Sequence, residues 1–399
     1  MRFGYAGMAR GVVHTKFKHC TQKYATKEKL EEIIQSNFDA LYHLLTYNVE
    51  HHIQMFRLSS DFIPFASHPL NTLDWQNQYQ EEFDKIHDIV IAKGLRLSMH
   101  PGQYVVLNSL SIDVVERSIL ELQAHADLLE AFKLDATHKM VLHIGGVYQD
   151  KEKAIERFIS VVKRCSSTIH KHLVIENDDR YFNIEDILYI SRMSNIPVVF
   201  DLLHHRLNPA SIFKSDNEWI SECLKTWKEQ DGVMKVHYSQ QAIGKRAGAH
   251  SDTINLLQFH HEFKSIKDLP IDLMLEVKDK NLSVNKVITY LSQNRTKLLN
   301  EWSKYHWLIY ERSKRTSLFI ENELKVREFP IFSFYQYIDD ALKKETCYQE
   351  EAAILKWNEV PLNKEMNIKR INQFKKSLLE ELLKQKEYEF VDYYLTLST

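Results

Sequence analysis

Six short apolar runs in this sequence each end in a side chain that binds metal ions: His100, His143, Glu176, Asp201, His237 and Glu276. His204 follows three residues after Asp201, and His250 lies in the segment after the seventh run. A single buried histidine is commonly a structural residue satisfied by a backbone partner. Eight imidazoles and carboxylates at corresponding ends of successive runs require another explanation, because carboxylates packed together raise one another's pKa unless a cation holds them. Divalent metals do this, and a set of imidazoles and carboxylates with no thiolate suits Zn, Mn or Fe. Eight ligands exceed the roughly four to six that one ion takes, so the pattern implies a cluster of two or three ions.

The elements that must carry these side chains follow from the same runs. Strand-length segments are RFGYAG (from Arg2), IQMFRLSS (from Ile53), LRLSMH (from Leu95), KMVLHIGG (from Lys139), HLVIEN (from His172), PVVFDLLHH (from Pro197), VMKVHYS (from Val233) and IDLMLEVKDK (from Ile271). Between them run amphipathic stretches of helical period, such as Lys27 to Tyr47 and Ile112 to Leu134. Eight strand-helix repeats in about 300 residues predict an α/β fold, a closed parallel (β/α)8 TIM barrel whose chemistry sits at the C-terminal ends of the strands. An open doubly wound sheet is the competing fold, but no GxGxxG turn follows the first strand. From about Asn300 the pattern turns helical without strand partners, in WSKYHWLIYERSKRTSLFIENELKV and INQFKKSLLEELLKQKEYEFVDYYL. The expected organisation is a barrel over residues 1–299 and a helical C-terminal extension over 300–399.

Composition narrows the function classes. With 52 Lys+Arg against 54 Asp+Glu, the chain lacks the global basic field of a nucleic-acid coat protein, though a local groove remains open to it. The 4 cysteines are far apart in sequence and form no CxxC pair, which argues against a disulfide framework. The N-terminus has no apolar leader and no segment is long and apolar enough to span a membrane, so a cytoplasmic location without a membrane partner is expected.

Three further features bear on chemistry. In HPGQYVVLNS, Pro101-Gly102 turns the chain at the rim and sets Gln103 and Tyr104 at a tip, suited either to inserting among stacked bases or to covering the barrel mouth. Arg57, Ser59, Ser60, Lys151, Lys278 and Lys280 are candidate phosphate contacts, with solvated surface charge as the plain alternative. Lys235 lies two residues before His237, so alternation along a strand points both to one side. An ammonium beside divalent cations is repelled; it must lose its proton, reach away to a phosphate, or react with carbon dioxide to form an anionic carbamate.

GYAG, RLSSDFIPFASH, HPGQYVVLNS, HIGGVYQDK, IENDDRY, PVVFDLLHHRL, KVHYS, GAHSD and MLEVKDK, in this order over about residues 1 to 290, closely resemble the UV damage endonuclease family. The resemblance is not expected to reach the C-terminal extension. It implies a Mn2+-dependent repair endonuclease, with Zn or Mg less expected, on a barrel similar to endonuclease IV. Such an enzyme cuts the backbone of damaged double-stranded DNA on the 5′ side of pyrimidine dimers, and of other lesions such as abasic sites, leaving a 3′ hydroxyl. It further implies that His100 and His143 hold one metal, that Glu176 bridges to a second held by Asp201, His237 and Glu276, and that His204 and His250 hold a third. Gln103 and Tyr104 would form a wedge with Tyr5 as a second probe. His68 would stand behind the ligands or carry a proton, and Lys235 would be the carbamate, serving as ligand and catalytic group. The protein is expected to act as a monomer. A sugar isomerase or epimerase on a similar barrel is the alternative, but it has no use for the HPGQY tip. An amidohydrolase would want His-x-His where this chain has GYAG, and a non-catalytic DNA-binding scaffold would not need a full ligand set.

Overall fold

The computed structural model describes residues 1–325 and 330–342. Its strands are β1 (Phe3–Ala6), β2 (Met55–Leu58), β3 (Arg96–Met99), β4 (Lys139–Leu142), β5 (Leu173–Glu176), β6 (Val198–Asp201), β7 (Met234–Tyr238) and β8 (Ile271–Leu275). Each pairs in parallel with the next, and β8 returns to β1, so the sheet closes as the sequence predicts. Strands covered by helices on one side and filled on the other read as unbroken apolar runs, and that is why all eight are visible in the sequence.

One expected strand is shorter than its apolar run. PVVFDLLHH pairs only as far as Asp201, where the chain turns into the helix Leu202–Leu207. The physical cause is Asp201 itself, whose Oδ1 accepts the His204 backbone N–H at 2.8 Å and so caps the new helix.

The barrel interior is layered by strand alternation. At the N-terminal end, Arg96 Nη1 donates to Asp272 at 3.1 Å and Arg96 Nε to the Thr137 carbonyl at 2.7 Å. Lys139 Nζ donates to Asp231 at 2.6 Å, and the Trp227 ring lies 5.6 Å from the Arg96 guanidinium. Every charge in this floor is buried and paired, as a water-free position demands. Above it sits an apolar layer of Val141, Val174 and Val199. The side chains next along β3 to β8 on the same face are the ones the sequence singles out.

The described residues divide into two compact units. One comprises residues 1–8, 14–254 and 261–280; the other takes in 9–13, 255–260 and the described residues from 281. The C-terminal part of the second unit starts at Asn281, where the sequence reading expected the helical extension from 300. In the second unit the helices Asn281–Ser292, Arg295–Arg312, Lys314–Lys325 and Ile331–Leu342 enclose Trp302, Tyr305, Ile309, Ile320, Phe334 and Tyr335. Buried Lys286 pairs with Asp339 at 2.7 Å, and Tyr335 donates to Glu301 at 3.0 Å. The predicted helix from Ile371 lies outside the described residues. Among the described residues no helix is long and apolar enough to cross a membrane.

Candidate metal centre

Parallel register sets the height of each side chain. Asp201 pairs with His237, and Glu176 pairs with Val199, two residues before Asp201, so the inward residues of β5, β6 and β7 stand in a stagger at the C-terminal ends of their strands. Two groups of potential ligand atoms converge there, His100, His143 and Glu176 in one and Glu176, Asp201 and His237 in the other; within each, the atoms lie within 4.8 Å of one another. Glu176 belongs to both, its Oε2 3.4 Å from His100 Nε2 and 3.5 Å from His143 Nε2, its Oε1 accepting from His237 Nδ1 at 2.5 Å. Glu276 joins through His237 Nδ1 at 3.1 Å. The His204 ring centre lies 5.6 Å from that of His143, and His250 stands at the foot of a hairpin, bridged to Gln241.

Buried atoms without partners test whether this set suits a cation. Asp201 Oδ2, His143 Nδ1, His237 Nε2 and Lys235 Nζ are all buried with no hydrogen-bond partner. A carboxylate oxygen and imidazole nitrogens stripped of water in one pocket cost free energy unless something accepts their lone pairs. Hard oxygen and imidazole donors without sulfur fit a divalent ion.

Electrostatics lead to the same conclusion. Burial raises Asp201 to about 6, helped by the neighbouring Glu176 and Glu276 and partly offset by His204. Burial also acts on Glu176, but His237 and His143 hold it well below the usual carboxylate range; Glu276 is likewise held low by Arg57 and His237 against its burial. Burial opposes protonation of His204, yet the facing carboxylates, Asp201 first, bring it to about 9, while burial takes His143 down to about 4. Imidazolium and guanidinium thus compensate the acidic pocket, a service that divalent cations perform with more charge per site.

Asn177 organises this rim and was not foreseen from the sequence. It is fully buried; its Nδ2 donates to the Asp201 carbonyl at 3.0 Å, its Oδ1 accepts the Asp201 N–H at 2.9 Å, and its carbonyl pairs with His204 Nδ1 at 3.0 Å. It therefore fixes the main chain of Asp201 and the imidazole of His204, as residues behind metal ligands do. In IENDDRY its one signal is its position directly after Glu176.

The remaining predicted residues fall in different places. Gln103 and Tyr104 are exposed at the rim, Tyr104 to 61%. Tyr5 does not reach the mouth. It points outward from β1, is 0% exposed, donates to Asn48 Oδ1 at 2.8 Å and meets the Phe56 ring edge-on, so the expected second probe is withdrawn. Arg57 is not free for phosphate, because its guanidinium pairs with Glu276 inside the pocket. Lys151 pairs with Asp186 and Lys278 with Asp252 at 2.7 Å; a phosphate would have to displace those carboxylates. Ser59, Ser60 and Lys280 are half-buried, Lys280 in a left-handed backbone conformation. His68 is exposed on the loop after β2, its Nδ1 accepting the Leu70 N–H at 3.1 Å, and stands outside the two ligand groups. Lys235 is buried inside the barrel, and burial, with Arg96 and Arg57 adding, lowers its amine well below the usual range.

A family model described as UV-endonuclease UvdE matches residues 4–304. A UV DNA damage endonuclease of Clostridium perfringens (strain 13 / Type A) is 35% identical over 404 residues, covering 99% of this chain and 95% of the relative. One of Bacillus cereus (strain G9842) is 31% identical over 307 residues, covering 74% of this chain and 96% of the relative. The crystal structure of SacUVDE superposes with a TM-score of 0.69 at 37% identity, over 73% of this chain and 98% of its own. The Clostridium likeness runs through the C-terminal helices, beyond the span over which the motifs alone carry it.

Proposed function

The chain belongs to the UV-endonuclease UvdE family, and from that premise we propose that it is a metal-dependent DNA repair endonuclease incising 5′ to UV photoproducts in duplex DNA. The observation that carries the reading is the convergence of His100, His143, Glu176, Asp201 and His237 at an open barrel mouth with unpartnered buried donor atoms. A phosphodiester is a poor electrophile with a charged leaving oxygen; divalent ions bound there would neutralise it, activate a water and stabilise the departing alkoxide. Mn2+ is the proposed ion, in a cluster of two or three, and the protein acts as a monomer.

Each residue has a share in this reading. Glu176 faces both ligand groups and is the shared carboxylate. Arg57 offsets the charge of Glu276, and Asn177 holds Asp201 and His204 in place. Lys235, two residues before His237 on β7 with a buried, unpartnered Nζ, is proposed to add carbon dioxide and release a proton, so that a carbamate oxygen replaces a repelled ammonium. Its buried place argues against a phosphate contact. Gln103 and Tyr104 probe the stack, where a dimer-kinked duplex yields more cheaply than sound DNA; abasic sites would yield for the same reason.

An end-labelled, UV-irradiated duplex incubated with the Mn2+-loaded protein tests this. Cleavage 5′ to the dimers, leaving a 3′ hydroxyl and sparing the unirradiated duplex, is expected. Irradiated DNA left intact by a protein that epimerises a ketose would overturn the reading.

A further inference from the structure

Two rim loops meet on one carboxylate that belongs to neither. Glu121, on the helix Ile112–Ala131, accepts the Tyr104 hydroxyl at Oε1 over 3.0 Å, and its Oε2 accepts the Ser67 hydroxyl. Tyr104 lies in the loop after β3 and Ser67 in the loop after β2, so partners 17 and 54 residues away converge on Glu121. The carboxylate is itself only 15% exposed, and His125 one turn later is buried, with its Nδ1 on the Glu121 carbonyl at 2.8 Å. On the other side the Tyr104 ring covers Gly102, where an added Cβ would come within 2.3 Å of the ring. The tyrosine is thus held at its hydroxyl and along one ring face while 61% of it stays exposed.

We propose that Glu121 is a positioning residue that pre-orients the Tyr104 probe and ties it to the loop after β2. The proposal rests on the reading of Tyr104 as a DNA probe. An exposed tyrosine on a loop tip otherwise samples several rotamers, and inserting it into a base stack costs that freedom at the moment of binding. A hydroxyl fixed to a carboxylate has lost it beforehand, and a charge-assisted hydrogen bond is strong enough to hold it. Amphipathic helices commonly place a glutamate toward solvent; this one is turned to two loops and nearly covered.

The test compares Glu121→Ala, Glu121→Gln, Tyr104→Phe and the double variant Glu121→Ala/Tyr104→Phe in binding to a single-lesion duplex and its undamaged counterpart. Glu121→Ala should weaken lesion-duplex binding roughly tenfold and change KM rather than kcat, with undamaged binding nearly unaltered. Glu121→Gln should restore most of the loss, since its amide oxygen still accepts from Tyr104. Tyr104→Phe should match Glu121→Ala, and the double variant should be no worse than either, as for groups acting through one contact. Tyr104→Phe removes only one hydroxyl, so it decides the matter even if Glu121→Ala folds poorly. Additive losses, or equal losses on both duplexes, would overturn the proposal. Tyr104→Ala separates the two levels: if it weakens lesion binding while Glu121→Ala and Tyr104→Phe do not, only the positioning role falls. If it binds the lesion duplex like the parent protein, the probe reading falls and takes the positioning role with it.

Discussion

Asp201 serves two purposes with its two oxygens. Oδ1 caps the helix Leu202–Leu207, and Oδ2 is buried without a partner among the candidate ligands. Asp201→Asn keeps an acceptor for the cap and removes the charge, so it should lower bound metal with little loss of stability. Asp201→Ala should lose both, with about 1 kcal/mol of destabilisation from the cap alone. Metal analysis beside thermal unfolding separates the two variants. Lys235→Ala is expected to lose one metal and most incision, with intact mass in bicarbonate as the independent check for the added carbon dioxide. The candidate ligand positions were legible because each sets a metal-binding side chain in or at the C-terminal end of an otherwise apolar segment. Tyr5 was misjudged because β1 is buried on both faces, and in GYAG nothing tells lumen from helix side. Asn177 and Glu121 were missed since an asparagine past a strand resembles a turn and a helical glutamate resembles solvent decoration.

At the level of elements, the loops after β3 and β4 lock together. Asn108 donates to the Gly146 carbonyl at 2.8 Å, and Gly145 sits at φ 112°, where an added Cβ would come within 2.4 Å of Asn108 Oδ1. Both the conformation and the space admit only glycine. Gly145→Ala should cost about 1–3 kcal/mol and, two residues from His143, reduce metal content. Unfolding curves and metal analysis together check this, and a stable, fully loaded variant would refute it. Strand positions were legible from apolar runs alone, but strand length was not: in PVVFDLLHH the apolar run continues through Leu203 while the hydrogen bonding changes at Asp201. A side-chain cap, not hydropathy, draws that line. Gln103→Ala with Tyr104→Ala should impair lesion binding and leave the metal content intact, because neither side chain belongs to the ligand groups.

For the molecule as a whole, the helical pattern beyond β8 begins at Asn281, well before the strand-free composition becomes evident at about 300. The Bacillus cereus relative matches only 74% of this chain yet is itself covered to 96%, so the later helices are expected to be dispensable for incision. Asp339→Ala would remove the carboxylate that pairs with buried Lys286 and should cost about 3 kcal/mol, read from denaturant unfolding, without altering the incision rate of the folded protein. The barrel's two ends differ just as sharply. Arg96, Lys139, Asp231 and Asp272 fill the floor and are buried, whereas at the mouth the His143 side chain is 33% exposed. A polymer strand therefore cannot be threaded through from a terminus; it can only be laid across the opening from the side. The topology of the substrate should then be irrelevant, and a supercoiled, UV-irradiated plasmid, which has no ends at all, should be relaxed to a nicked circle as readily as a linear fragment is cut.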